Sequence, residues 1–165
     1  MRINIEDFFD KYSSEEYRHG IFIPEEVHDV LDTLYLQGED YAVINDSVID
    51  VIEEKKLDYY NRLAIIDEIG RHLNAGNKLE KVNILLSINE YKESIRIGEE
   101  IGAFMYYSYA YERLIILLHK IKDFESEKQY IQALLEYNLS DSRRQKYEER
   151  LTKLNKKLNE QTQGI

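Results

Sequence analysis

The chain has no cysteine, which excludes disulfide frameworks, thiol nucleophiles and cysteine-based zinc ribbons and suits a reducing compartment. One proline and seven glycines leave few points at which a helix must break, and tryptophan is absent. No apolar run approaches the roughly 20 residues of a membrane span. The opening Met1-Arg2-Ile3-Asn4-Ile5-Glu6-Asp7 turns acidic too early for a secretory signal. A Gly-rich phosphate loop, a nucleophile elbow and a zinc-protease helix motif are all missing, so no residue is assigned a catalytic role. The expectation is a cytoplasmic, non-enzymatic chain with no cofactor, no metal and no membrane partner.

What the sequence has in excess is negative charge. Thirty-two acidic residues face 22 basic ones, a net charge of −10. The excess is uneven: residues 143–165 hold seven basic side chains and three acidic ones, which leaves everything before them at −14. Such a surface repels nucleic-acid phosphates and draws basic partners inward, while solubility alone accounts for it equally well.

Apolar residues recur at three- and four-residue spacing through most of the chain, the pattern of amphipathic helix. We expect one all-helical domain over 1–160 and a frayed tail at 161–165. Two helices precede residue 38. Ile5, Phe8 and Phe9 mark the first, a short helix or lid, Ser13, Ser14 and Gly20 mark turns, and Pro24 opens the second, where Val27, Val30, Leu31, Leu34 and Tyr35 share a face until Gly38. Three hairpins then occupy 40–139. The first turns at Leu57-Asp58 and returns over 59–74. The second runs out through Leu79, Val82, Leu85 and Leu86 and returns from Glu90 through Ile95 and Ile101. The third leaves near Phe104, turns at Lys122-Asp123 and returns through Tyr130, Leu134 and Leu135. A last helix, 141–160, starts at Ser140 or Asp141 and aligns Tyr147, Leu151, Leu154 and Leu158, a stripe suited to capping a stack.

The segment Ile84 to Tyr91 aligns with Leu117 to Phe124 at an offset of 33 residues, bringing Glu90-Tyr91 onto Asp123-Phe124. With Tyr111, Leu114 and Leu134-Leu135, that acidic-aromatic step resembles the tetratricopeptide repeat, most clearly over 107–139. Departures from the pattern are Glu127 where a small residue is usual, Leu134 for a late alanine and Leu139 for a proline. The resemblance implies an α-solenoid of stacked antiparallel hairpins whose first helices line a binding groove; an irregular helical bundle is the alternative.

On that resemblance the groove presents Asn83, Tyr109, Arg113, Ile116, His119 and Lys120, although the tyrosine rings would equally serve to cover neighbouring helices, whereas Tyr107 and Tyr111 share the core face with Leu114 and Leu118. The carboxylate clamp of some family members is not reproduced, because the corresponding face of the first hairpin offers Ser47, Val48, Val51 and Glu54. Two Glu-x-x-His spacings, Glu16 to His19 and Glu25 to His28, match the spacing used by di-iron bundles but lack facing carboxylate helices, and read as surface residues. Two functions are therefore expected in competition. One is an adaptor that binds a protein or peptide, without nucleic acid. The other is a small acidic inhibitor, of the kind a phage or mobile element carries, that blocks a basic nucleic-acid channel on its target.

Overall fold

The structure, a computed structural model, describes residues 1–12 and 22–164. It is all-α, with seven helices among the described residues and one two-stranded ribbon. The sequence reads as one domain; the contacts fall into two compact units, Met1–Leu63 and Ala64–Ile165.

Unit 1 contains β1 (Arg2–Asn4), α1 (Ile5–Tyr12), α2 (Glu25–Leu36), β2 (Tyr41–Val43) and the first half of α3 (Asp46–Leu79). β1 and β2 pair antiparallel with Ile3 opposite Ala42. Both of these are buried while Arg2, Tyr41 and Val43 are exposed, so the ribbon lays one face on a core of Ile5, Phe8, Tyr12, Phe22, Ile23, Leu31, Ile44 and Ile52. Pro24 sits at the N-cap of α2, and Glu25 and Glu26 meet the positive end of its dipole. Gly38, at φ +86°, turns the chain after the helix in a backbone region that side chains disfavour. The turns expected at Ser13, Ser14 and Gly20 lie outside the described residues.

Unit 2 contains the rest of α3, then α4 (Ile84–Ile101), α5 (Phe104–Lys120), α6 (Phe124–Leu135) and α7 (Asp141–Gln163), each packed antiparallel on the next. Local chemistry sets the joints. Asn83 Oδ1 accepts from the Leu86 amide at 3.1 Å to cap α4, Gly102 ends that helix at φ 65°, and Asp123 Oδ1 caps α6 through the Ser126 amide at 3.2 Å. Small residues set the spacing. Ser87 Oγ donates to the Gly76 carbonyl at 2.8 Å and Ser94 Oγ to the Ile69 carbonyl at 3.4 Å, tying α4 to α3. A Cβ at Gly98 would fall on the Tyr107 ring, so α4 and α5 approach only because that atom is missing.

The first expected hairpin is absent. α3 runs unbroken through Leu57-Asp58, since Glu53 to Arg62 contains neither glycine nor proline and is rich in good helix formers. The second hairpin is corrected as well: Glu90-Tyr91 lies inside α4 rather than at a turn, and the connection is Glu80 to Asn83. The 33-residue offset therefore matches a helix interior with the real turn at Lys122-Asp123. The third hairpin and the closing helix occur where expected, with Tyr147 and Leu154 buried and Leu151 and Leu158 packed beside them. α7 continues to Gln163, past the expected fraying point.

Candidate functional site

The expected groove residues lie on α5 and on the loop before α4, and most are held by partners within unit 2. Asn83 spends its side-chain oxygen on the α4 cap. Arg113 Nε donates to Glu80 Oε1 at 2.7 Å, and its Nη2 reaches the other carboxylate oxygen. Tyr91 Oη donates to that same Glu80 at 2.7 Å and contacts Asn77 Oδ1 at 2.7 Å; Tyr109 Oη reaches Asn77 at 3.1 Å. The Arg113 hydrogen bond holds the Glu80 carboxyl below its ordinary range, helped at longer reach by Lys120, while burial and then Glu80 push the Tyr91 phenol up. The network bridges α3, α4 and α5. Ile116 is half-buried and His119 and Lys120 are exposed.

Tyr107 and Tyr111 are buried as expected. Tyr111 Oη donates to Glu99 at 2.7 Å, Tyr137 hydrogen-bonds Tyr107 at 3.0 Å, and Phe104 stacks on Tyr137 with centroids 4.1 Å apart. Glu127, which departs from the repeat pattern, is fully buried under α7. Arg150 Nε donates to its Oε1 at 2.8 Å and His119 Nδ1 meets its Oε2 at 2.9 Å. His119, Arg150, Lys153 and Lys157 line a recess of about 290 Å³ there. The basic charge of α7 thus divides by residue type. Arg143 pairs with Glu112, Arg144 donates to the Leu135 and Tyr137 carbonyls that end α6, and Arg150 holds Glu127, while Lys146, Lys153, Lys156 and Lys157 are exposed.

Unit 1 is built differently. Sixteen acidic and six basic residues precede Ala64, against 16 of each from Ala64 onward, so unit 1 carries the entire net charge of −10. Among the described residues its carboxylates form ion pairs only through the Met1 amine to Asp46 and through His28 to Asp29. An apolar recess of about 310 Å³ lies between α2 and β2, lined by Val27, Val30, Leu31, Leu34, Ala42 and Val43, with Glu26 at its rim. Val43 is 81% exposed and Val30 59%, and Tyr35, Leu36 and Tyr41 are exposed as well. The sequence signal for this site was the charge count; the boundary at residue 63 was not visible because it falls inside a helix.

Glu25 and His28 lie in the first turns of α2, where His28 packs on Phe9 with centroids 5.1 Å apart. Glu16 and His19 lie outside the described residues. Among the described residues no helix is long and apolar enough to cross a membrane, and no group of three or more His, Asp or Glu could hold a metal ion. No family model, curated protein or solved structure matches the chain.

Proposed function

We propose that this chain is a non-enzymatic interaction module whose acidic unit 1 engages a basic surface on a protein or peptide partner. The observation that carries the reading is the segregation of the whole net charge into residues 1–63, on carboxylates that few cations neutralise among the described residues. Unpaired like charges raise the free energy of the unit alone and steer an oppositely charged surface toward it. Unit 2 supplies a neutral frame. Its α3 to α6 segments are the part we read as tetratricopeptide-like stacking closed by α7, with Tyr109 and Arg113 serving that frame through Asn77 and Glu80.

The same segregation favours a second reading in which the basic partner surface is a nucleic-acid channel and the module acts as its inhibitor. One experiment tests both. Basic proteins cross-linked to the chain in its native host are identified, and binding of the purified partner is measured at low and at several-fold higher salt. Affinity falls steeply with salt, and reversing Glu25, Glu26 and Asp29 together weakens it roughly tenfold or more, whereas reversing exposed carboxylates of unit 2 has little effect. Competition by the partner's own nucleic acid selects the inhibitor reading. Salt-independent binding that survives the unit 1 reversal would overturn both.

A further inference from the structure

We infer that β2 is a docking edge for an extended, basic-flanked segment of the partner, which adds to the ribbon as a third strand and places one apolar side chain in the recess against α2. The inference rests on the proposed function and specifies its partner.

The hydrogen-bond pattern shows which edge is open. The Met1 amine donates to the Ile44 carbonyl at 2.8 Å and the Ile44 amide returns a bond to the Met1 carbonyl at 3.0 Å; at the other end, the Ile5 amide donates to the Asp40 carbonyl at 3.0 Å. In an antiparallel ladder such pairs alternate with pairs whose N–H and C=O groups point the opposite way. With Ile3 opposite Ala42, the backbone groups of Tyr41 and Val43 therefore face away from β1. Outside the ladder, neither has a backbone partner among the described residues. Unpaired strand groups are a template for another strand.

Two further observations fit one occupant. The recess beside this edge is walled by Val27, Val30, Leu31 and Leu34 of α2 and by Val43 itself, so an aliphatic side chain on the added strand would leave water there. Carboxylates outnumber cations around it: Glu26 lines the recess, Glu39 and Asp40 precede β2, and Asp46, paired with the Met1 amine, follows it, against Arg2, whose guanidinium lies over the Tyr41 ring. Because side chains alternate along a strand, a segment with an aliphatic residue inward and lysine or arginine at its flanks satisfies both features. A second copy of this chain would bring another unit of net charge −10 to the same place, which disfavours β2 to β2 pairing.

The test uses the full chain and a fluorescein-labelled synthetic peptide, Lys-Lys-Thr-Val-Ile-Val-Thr-Lys-Lys, measured by fluorescence anisotropy. Three controls accompany it: the peptide N-methylated at alternate bonds, a glutamate-flanked peptide, and a lysine-glycine peptide of equal charge. The basic apolar peptide binds; N-methylation weakens it about tenfold or more by removing strand hydrogen bonds, and the glutamate-flanked peptide does not bind. Val30→Lys, at an exposed position, and Val43→Pro, which removes an outward N–H, each weaken binding about tenfold. Circular dichroism establishes that both variants are folded, and Val30→Lys carries the test if Val43→Pro is not. Equal binding of the N-methylated and lysine-glycine peptides would overturn strand addition while leaving the electrostatic reading standing. Failure of every basic peptide at low salt would defeat both, and a dimer abolished by Val30→Lys would assign the edge to a second copy.

Discussion

Unit 2 and unit 1 handle charge in opposite ways. In unit 2, Glu80 meets Arg113, Glu93 and Glu100 meet Arg96, Glu112 meets Arg143 and Glu127 meets Arg150, so arginines hold its partly buried carboxylates, and 16 acidic against 16 basic residues leave no net charge. In unit 1 the carboxylates outnumber the cations and, among the described residues, the outer edge of β2 has no partner strand beside an apolar recess. A unit whose polar groups engage one another is stabilised by them and has little left to offer a ligand. A unit whose groups remain unengaged is less stable for it and, on the proposed reading, is the one that would meet a partner.

The difference is broken most severely by removing α7. Deleting residues 141–165 strips Tyr147 and Leu154 from the core and leaves Glu127 without Arg150. Burial of these and the flanking half-buried leucines is worth on the order of 5 kcal/mol, so the truncated chain should aggregate or lose the protected amides of α5 and α6 in hydrogen exchange. Unchanged exchange there would show that α7 is an independent arm.

Arg150→Met removes one partner of a buried carboxylate while keeping the packing of the stem. A loss of about 2 to 3 kcal/mol in urea denaturation is expected, below the value for a fully buried pair because Arg150 is partly exposed. Gly98→Ala sets a Cβ against the Tyr107 ring and costs about 1 to 2 kcal/mol after the gain in helix propensity. By contrast, Val30→Lys in unit 1 shifts stability by no more than about 0.5 kcal/mol, because an exposed side chain has little burial to lose.

The smallest effect is the pH dependence of unit 2. Glu80 is depressed by its Arg113 hydrogen bond, so the stability it adds is complete above the ordinary carboxylate range and is lost as pH falls through the lowered value. Tyr147 is pushed up to about 12, mainly by burial, so its contribution is complete below the ordinary phenol value and is lost as pH rises toward about 12. Denaturation curves across pH for wild type and Arg113→Met should converge on the acid side. Parallel curves would mean that the Glu80 pair adds nothing.

The same contrast explains how far the sequence could be read. α5, α6 and α7 were legible because Lys122-Asp123 and Ser140-Asp141 punctuate them and because Tyr147, Leu151, Leu154 and Leu158 form a clean stripe. α3 was misread because Leu57-Asp58 and Glu90-Tyr91 look like turns by analogy with Asp123-Phe124, although nothing at either place breaks a helix. The ribbon escaped notice because three-residue strands carry too short a period-two signal, and its register depends on partners some 40 residues apart. For the site, the core role of Tyr107 and Tyr111 followed from spacing. The engagement of Arg113 by Glu80, a full 33 residues upstream, did not, since no local pattern marks a partner on another helix.

If unit 1 binds and unit 2 supports it, a partner segment changes the exchange of β2 and leaves α5 alone. Amide hydrogen exchange of the full chain, with and without the basic apolar peptide, tests it most directly. Slower exchange is expected at the Tyr41 and Val43 amides, with no change at Tyr109 to Lys120; protection confined to α5, with β2 unchanged, would place the binding surface on unit 2 instead.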